Sequence, residues 1–259
     1  MKRIIPIFAV VLAMMLSSCI EHHVTIVLNK DGSGTITEET TMSAENAMMA
    51  AQMGGDPFKD ATDEAKLKAK AAEMGEGVTL EKAEKIAANG RSGGRVTYAF
   101  KDINTLKYGF GDSVSEMSEG MKPPGEAAEE KKADPIPFVY KDGVLKITNP
   151  SDEEEGEGSD DGEPMDPQAM MMAKQVLGDM KMSIKIEFPG GIKETNATYH
   201  EGDTVTFMDV AMAKLLEDPE KFEAFTKAKP ESPTEMREVL KGIDGVKVET
   251  QKEISVTLK

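Results

Sequence analysis

The chain has 259 residues with 31 Lys and Arg against 47 Asp and Glu, and its net charge of -16 works against nucleic acid and against electrostatic docking on anionic lipid. A single cysteine excludes an intramolecular disulfide, so the fold must stand on its core alone. With no Trp, 9 Phe and 19 Met, that core is expected to be filled by flexible aliphatic and thioether side chains.

Lys2 and Arg3 precede an apolar run at residues 4–16, the layout of a secretory signal peptide. The run is about 13 residues, short of the roughly 20 that cross a bilayer. Leu16-Ser17-Ser18-Cys19 resembles the bacterial lipobox, a Leu and two small residues ahead of a Cys whose sulfur is acylated before the signal is cut off. The resemblance implies that residues 1–18 are a lipoprotein signal peptide and that Cys19 is the lipidated first residue of an exported domain, residues 19–259. Losing Lys2 and Arg3 takes the charge from -16 to -18. One acyl chain gives only marginal binding, whereas two or three on Cys19 hold a protein essentially permanently. Ile20 follows the cysteine, instead of the Asp that resembles an inner-membrane retention signal, which favours the outer membrane. The expected location is the bacterial cell envelope, periplasm-facing or outer membrane, with the membrane as a partner through Cys19.

Val24, Ile26 and Leu28 share one face of a first strand, with Thr25 on the other. Asp31-Gly32-Ser33-Gly34 turns the chain into a second strand at 35–41. A two-residue turn would put Ile36 on the wrong face, so a three- or five-residue bulged loop with a glycine at positive φ is expected. Ser43 can cap a helix through Met48, Met49 and Met53 that stops at Gly54-Gly55. A second helix starts near Thr62-Asp63-Glu64 and places Leu67, Ala71 and Met74 on one side. Methionines at this spacing read as core.

Val78 and Leu80 open a third strand, and the turn-rich segment 89–94 leads into Val96, Tyr98 and Phe100 as a second hairpin. A short irregular turn follows at Lys101-Asp102-Ile103-Asn104. Residues 109–135 read as a mobile loop. The segment 138–148 is the best-specified hairpin: with Asp142-Gly143 as a type I′ turn, Lys141 faces Val144, Tyr140 faces Leu145 and Phe138 faces Ile147. The acidic run at 151–166 lacks the alternating acids and distal Glu of a calcium loop and reads as a solvated, disordered segment.

Pro167 opens a helix with Met170, Met171 and Met172, continuing through Val176 and Met180. The next strand carries Met182, Ile184, Ile186 and Phe188, Pro189-Gly190-Gly191 turns it, residues 192–199 return, and Val205 and Phe207 mark a third strand, together a meander. Two helices follow, one with Phe222 and Phe225, the other started by a Ser232-to-Glu235 capping box. A long closing strand puts Val246, Val248, Ile254, Val256 and Leu258 on one face. The fold class is α+β: an antiparallel sheet of hairpins and meander packed against several helices, with disordered acidic loops. A ββαββ order recurs in the two halves, although the residues do not repeat.

From Met182 to Phe207 the chain resembles the LppM-like family of exported lipoproteins. The residues that carry this are Ile186-Glu187-Phe188-Pro189-Gly190-Gly191 and Glu194-Thr195-Asn196 before Val205, supported by Asp31-Gly32, Phe100-Lys101-Asp102 and the Asp142-Gly143 hairpin. The resemblance implies an α+β lipoprotein domain with a role in binding lipid or glycolipid. The family's C-terminal transmembrane helix is absent from this sequence.

Catalysis needs a nucleophile with its base, a carboxylate pair or a metal cluster, and none is legible. His-Glu-x-x-His does not occur, and no metal site or cofactor is expected. His22 and His23 are adjacent, so in a strand they point to opposite faces and read as a tether beside the anchor. The leading expectation is a non-enzymatic, lipid-anchored protein binding a lipid or other hydrophobic ligand, with Met48, Met172, Ile184, Ile186 and Phe207 as pocket candidates. The alternative is a structural or interaction lipoprotein with a filled core that binds an envelope protein. A closed core without a cavity favours the second.

Overall fold

The structure, a computed structural model, describes residues 20–52, 58–109, 135–148, 178, 180–218, 220, 222, 243, 245–249 and 251–259. Cys19, the signal segment 1–18, the acidic run 151–166, Met172 with its helix, and the capping-box helix lie outside them, as does all but the ends of the 109–135 loop.

The first hairpin follows from its periodicity. In β1 (Glu21–Leu28), Val24, Ile26 and Leu28 are fully buried, and β2 (Gly34–Ser43) pairs with it so that Leu28 faces Gly34 and Ile26 faces Ile36. The connection is the five-residue loop, with Gly32 at φ 87°. Any side chain at that φ would be strained, which is what selects glycine there. β1 starts three residues before the expected Val24, so His22 and His23 belong to the strand and not to a tether. Ser43 Oγ accepts from Asn46 N at 3.2 Å to start α1 (Ala44–Gln52), and Asp63 accepts from the amides of Ala65 and Lys66 to start α2 (Glu64–Glu73).

β3 (Thr79–Ala88) and β4 (Arg91–Phe100) are joined by Asn89-Gly90 alone, both at positive φ, a two-residue type I′ turn. The expected turn-rich stretch to Gly94 is therefore strand. Gly93 and Gly94 are buried within β4, where a side chain would strike Thr40 and Thr41 of β2 or Ala61. β5 (Phe138–Lys141) and β6 (Val144–Thr148) form the hairpin in the predicted register, with Asp142 at φ 52° and Gly143 at φ 79°.

The second half departs from the expected meander. β7 (Lys181–Glu187) pairs in parallel with β1 and antiparallel with β10 (Thr204–Ala211), whereas β8 (Ile192–Thr195) leaves for another sheet and β9 (His200–Glu201) is a short addition to β10. The long closing strand is likewise two: β11 (Lys247–Val248) pairs with β10, and β12 (Glu253–Leu258) lies between β6 and β8. A six-residue helix absent from the sequence reading, α3 (Met212–Glu217), follows β10 and buries Met212, Leu215 and Leu216.

Two sheets result. The larger runs β11-β10-β7-β1-β2-β4-β3, with β9 beside β10, and the smaller runs β5-β6-β12-β8. The parallel β1–β7 pair makes the larger sheet mixed, correcting the all-antiparallel expectation, and the two halves of the chain meet there in one sheet. Among the described residues strands dominate and helices are few. One core, from Val24 to Leu258, unites the apolar faces of both sheets with Leu67, Ala71 and Met74 of the α2 segment.

Candidate functional site

Ile184 and Ile186 sit mid-sheet on the inner face. Ile184 lies between Val24 and Met208, and Ile186 between Ile26 and Val205. They are 2% and 0% exposed, so close packing surrounds them. Phe207 is at a β-bulge: the register moves from Thr206 to Met208, so Phe207 and Met208 are both buried and Met208, not Phe207, faces Ile184. The Phe207 carbonyl instead accepts from Glu249 N at 2.7 Å. Met48, expected in the core, is 64% exposed on α1. The structure thus groups Ile184 and Ile186 in one filled region and leaves Met48 at the surface. Among the described residues a shallow depression of about 180 Å³ lies by Gly178, Ala213, Leu216 and Glu217, below the roughly 300 Å³ at which ligand pockets begin.

Polar groups interrupt this core at two places that sequence reading missed. Glu38 points inward from β2 in the row of Val24 and Val96. It accepts from Lys70 Nζ of α2 at 3.0 Å and from the Tyr108 hydroxyl at 3.2 Å. Glu249, 2% exposed, stands where the chain passes from β11 toward β12. Its carboxylate accepts from the Thr198 amide and hydroxyl, each at 2.7 Å, and from Gln251 N at 2.9 Å. A strand pattern with acids among Thr residues gave no signal that Glu38 faces inward, because its partner is on a helix more than thirty residues away.

The opposite face of the larger sheet is polar and ordered by ion pairs. Arg95 donates to Glu39 at 2.9 Å through Nε, and its Nη1 lies 3.3 Å from Glu84, which also pairs with Lys82 at 2.8 Å. The Lys82 hydrogen bond holds the Glu84 carboxyl below its ordinary pKa, with Arg95 adding to it, while Glu39 raises the Arg95 guanidinium. Lys82, Glu84, Arg95 and Glu39 thus form one strip across β3, β4 and β2. A second strip joins Arg91 and Lys181 to Glu21, each at 3.3 Å, with Arg91 Nε also donating to Thr41 Oγ1 at 2.9 Å.

The two histidines point to opposite faces, as adjacent strand residues must. His22 is buried inward with Nδ1 2.8 Å from Thr40 Oγ1. His23 points outward, its Nδ1 2.6 Å from Ser183 Oγ and its Nε2 3.8 Å from Glu21. Serine, imidazole and carboxylate are the groups of a hydrolytic triad, but Ser183 sits mid-strand between β1 and β10. Backbone amides there are committed to ladders and cannot serve as an oxyanion hole. The contact instead ties the parallel β1–β7 pair in register. Among the described residues no group of three or more His, Cys, Asp or Glu is placed to hold a metal, and no helix is long and apolar enough to cross a membrane.

No family model and no curated protein matches the chain. Among solved structures it is similar to the folded domain of Mycobacterium tuberculosis LppM, determined by NMR, at 10% identity over 75% of this chain and 84% of that one, with a TM-score of 0.35. It is also similar to an M1 zinc metallopeptidase from Deinococcus radiodurans, at 8% identity over 75% of this chain and 40% of that one, with a TM-score of 0.23. At these identities and TM-scores neither likeness carries an argument about fold or activity. The finding is a weak structural similarity to the LppM domain.

Proposed function

We propose that this chain is a lipid-anchored protein of the bacterial cell envelope, held by Cys19, whose β-rich domain is a non-enzymatic interaction module with a filled core that binds an envelope protein. The packing around Ile184 and Ile186 carries this reading. Side chains that a hydrophobic ligand would have to touch are instead enclosed by Val24, Ile26, Val205 and Met208. What the domain offers a partner is its polar side: the two ion-pair strips, together with the acidic run at 151–166. Lys and Arg are outnumbered by acids, so the complementary partner surface is basic.

Native mass spectrometry with lipid extraction tests it, on the chain from Ile20 onward made in the periplasm of a bacterial host. The expected result is a clean apo mass that stays clean after incubation with envelope lipids. A stoichiometric co-purified lipid overturns the filled-core reading and restores the ligand-binding one. The anchor is tested separately: metabolic labelling with an alkyne fatty acid tags the full chain, and Cys19→Ser abolishes the tag.

A further inference from the structure

β3 is the last strand of the larger sheet and runs ten residues, and among the described residues no strand pairs with its other side. Such an edge is a template for another strand unless its residues forbid pairing. The other end of the same sheet, β11, is two residues long. The charges of β3 are arranged about one position. Glu81-Lys82-Ala83-Glu84-Lys85 changes sign on reflection through Ala83: Lys82 and Glu84 are equidistant from it and opposite in charge, as are Glu81 and Lys85.

We propose that β3 is a self-pairing edge, through which two copies of this chain join antiparallel about a two-fold axis at Ala83 to make one continuous sheet. In that register each residue faces its mirror position on the other copy, as an isologous contact requires. Lys82 meets Glu84 twice, and beside the bulge Glu81 meets Lys85 twice. Moving the axis by one residue sets Lys82 against Lys82 or Glu84 against Glu84, which is destabilising for charges directly opposite. The pattern therefore selects one register.

The local geometry suits it. Glu81, Lys82 and Lys85 are exposed, and Ala83 at the axis is small and lies partly against the core. Glu84 already holds its own Lys82 at 2.8 Å, so pairing closes a ring of four alternating charges. Glu81 is the bulged residue of the β3–β4 ladder and reaches Lys85 as a long exposed side chain. The segment is neutral in sum while the chain carries -16, so the edge itself adds no net repulsion between two copies.

Cysteine cross-linking of the full chain in host membranes tests it. Ala83→Cys is expected to give a reducible dimer on mild oxidation, while the parent chain, with Cys19 alone, and Glu81→Cys give none. If Ala83→Cys fails to fold by circular dichroism, Lys82→Cys mixed with Glu84→Cys reports the same register. On the Ala83→Cys background, K82E/K85E and E81K/E84K are each expected to lose the dimer at least tenfold, and mixing the two variants to restore it as a heterodimer. Absence of the cross-link, a dimer indifferent to both charge sets, or cross-linking to a different protein overturns the proposal.

Discussion

Lys70 Nζ donates to Glu38 Oε2 at 3.0 Å from a helix laid across the inner face of the larger sheet, so an ion pair stands in the row of Val24 and Val96, beside the row of Ile26, Ile36 and Tyr98. A carboxylate 9% exposed is tolerable only while its donors are present. Lys70→Met, which leaves Glu38 with the Tyr108 hydroxyl, is expected to cost about 2 kcal/mol. The double variant with Glu38→Leu should cost less than the sum of the two single changes. Urea unfolding midpoints measure this, and strict additivity would show that the pair is not coupled.

Glu249 gathers three donors at the break between β11 and β12. Glu249→Ala removes a buried carboxylate from three donors on Thr198 and Gln251, which are exposed and open to water, and the expected loss is about 2 kcal/mol. The damage should be local first: amide exchange speeds up in β11 and around Thr198 before the β5–β6 hairpin. Uniform loss of protection across both sheets would contradict this placement.

Ile186, 0% exposed between β1 and β10, and Met48, 64% exposed, were both candidates for a pocket. Ile186→Ala should destabilise the domain by about 3 kcal/mol through lost burial and the cavity left behind. Met48→Ala should stay within about 0.5 kcal/mol of the parent. Thermal unfolding of the two variants separates them, and equal effects would mean that the core is not packed around Ile186.

Asp31 in the β1–β2 loop accepts from the Ser33 hydroxyl at 2.6 Å and the Ser33 amide at 3.0 Å, and the hydroxyl bond foremost holds its carboxyl below the ordinary range. Because the folded-state pKa is the lower one, the contribution is present above the unfolded value of about 3.9 and is lost as pH falls through the folded value. The effect is therefore confined to below about pH 4. Carboxyl NMR titration should place Asp31 below its ordinary pKa and return it upward in Ser33→Ala. An unchanged titration in that variant would remove the Ser33 bond as the cause.

Much of the local structure was legible because it is set by neighbours in sequence. The two-residue period of residues 24–28 and 182–188, the five-residue option for the Asp31 loop and the Asp142-Gly143 turn with its three facing pairs depend on backbone sterics and side-chain alternation. The start of the second helix near Thr62-Asp63-Glu64 and its Leu67, Ala71 and Met74 face belong to the same class.

The choice of strand partners belonged to the tertiary structure. Residues 182–188 look the same whether β7 pairs with β8 or, as it does, with β1 and β10. The apolar positions of 246–258 look the same in one strand as in two strands of different sheets. The Phe207 bulge, the inward Glu38 and the contact between His23 and Ser183 each depend on a residue distant along the chain. Alternation determines which side chains must leave water, a local property of each segment. Which segments bury them together is decided by the best joint packing of both sheets and α2, and only the folded chain can express that sum.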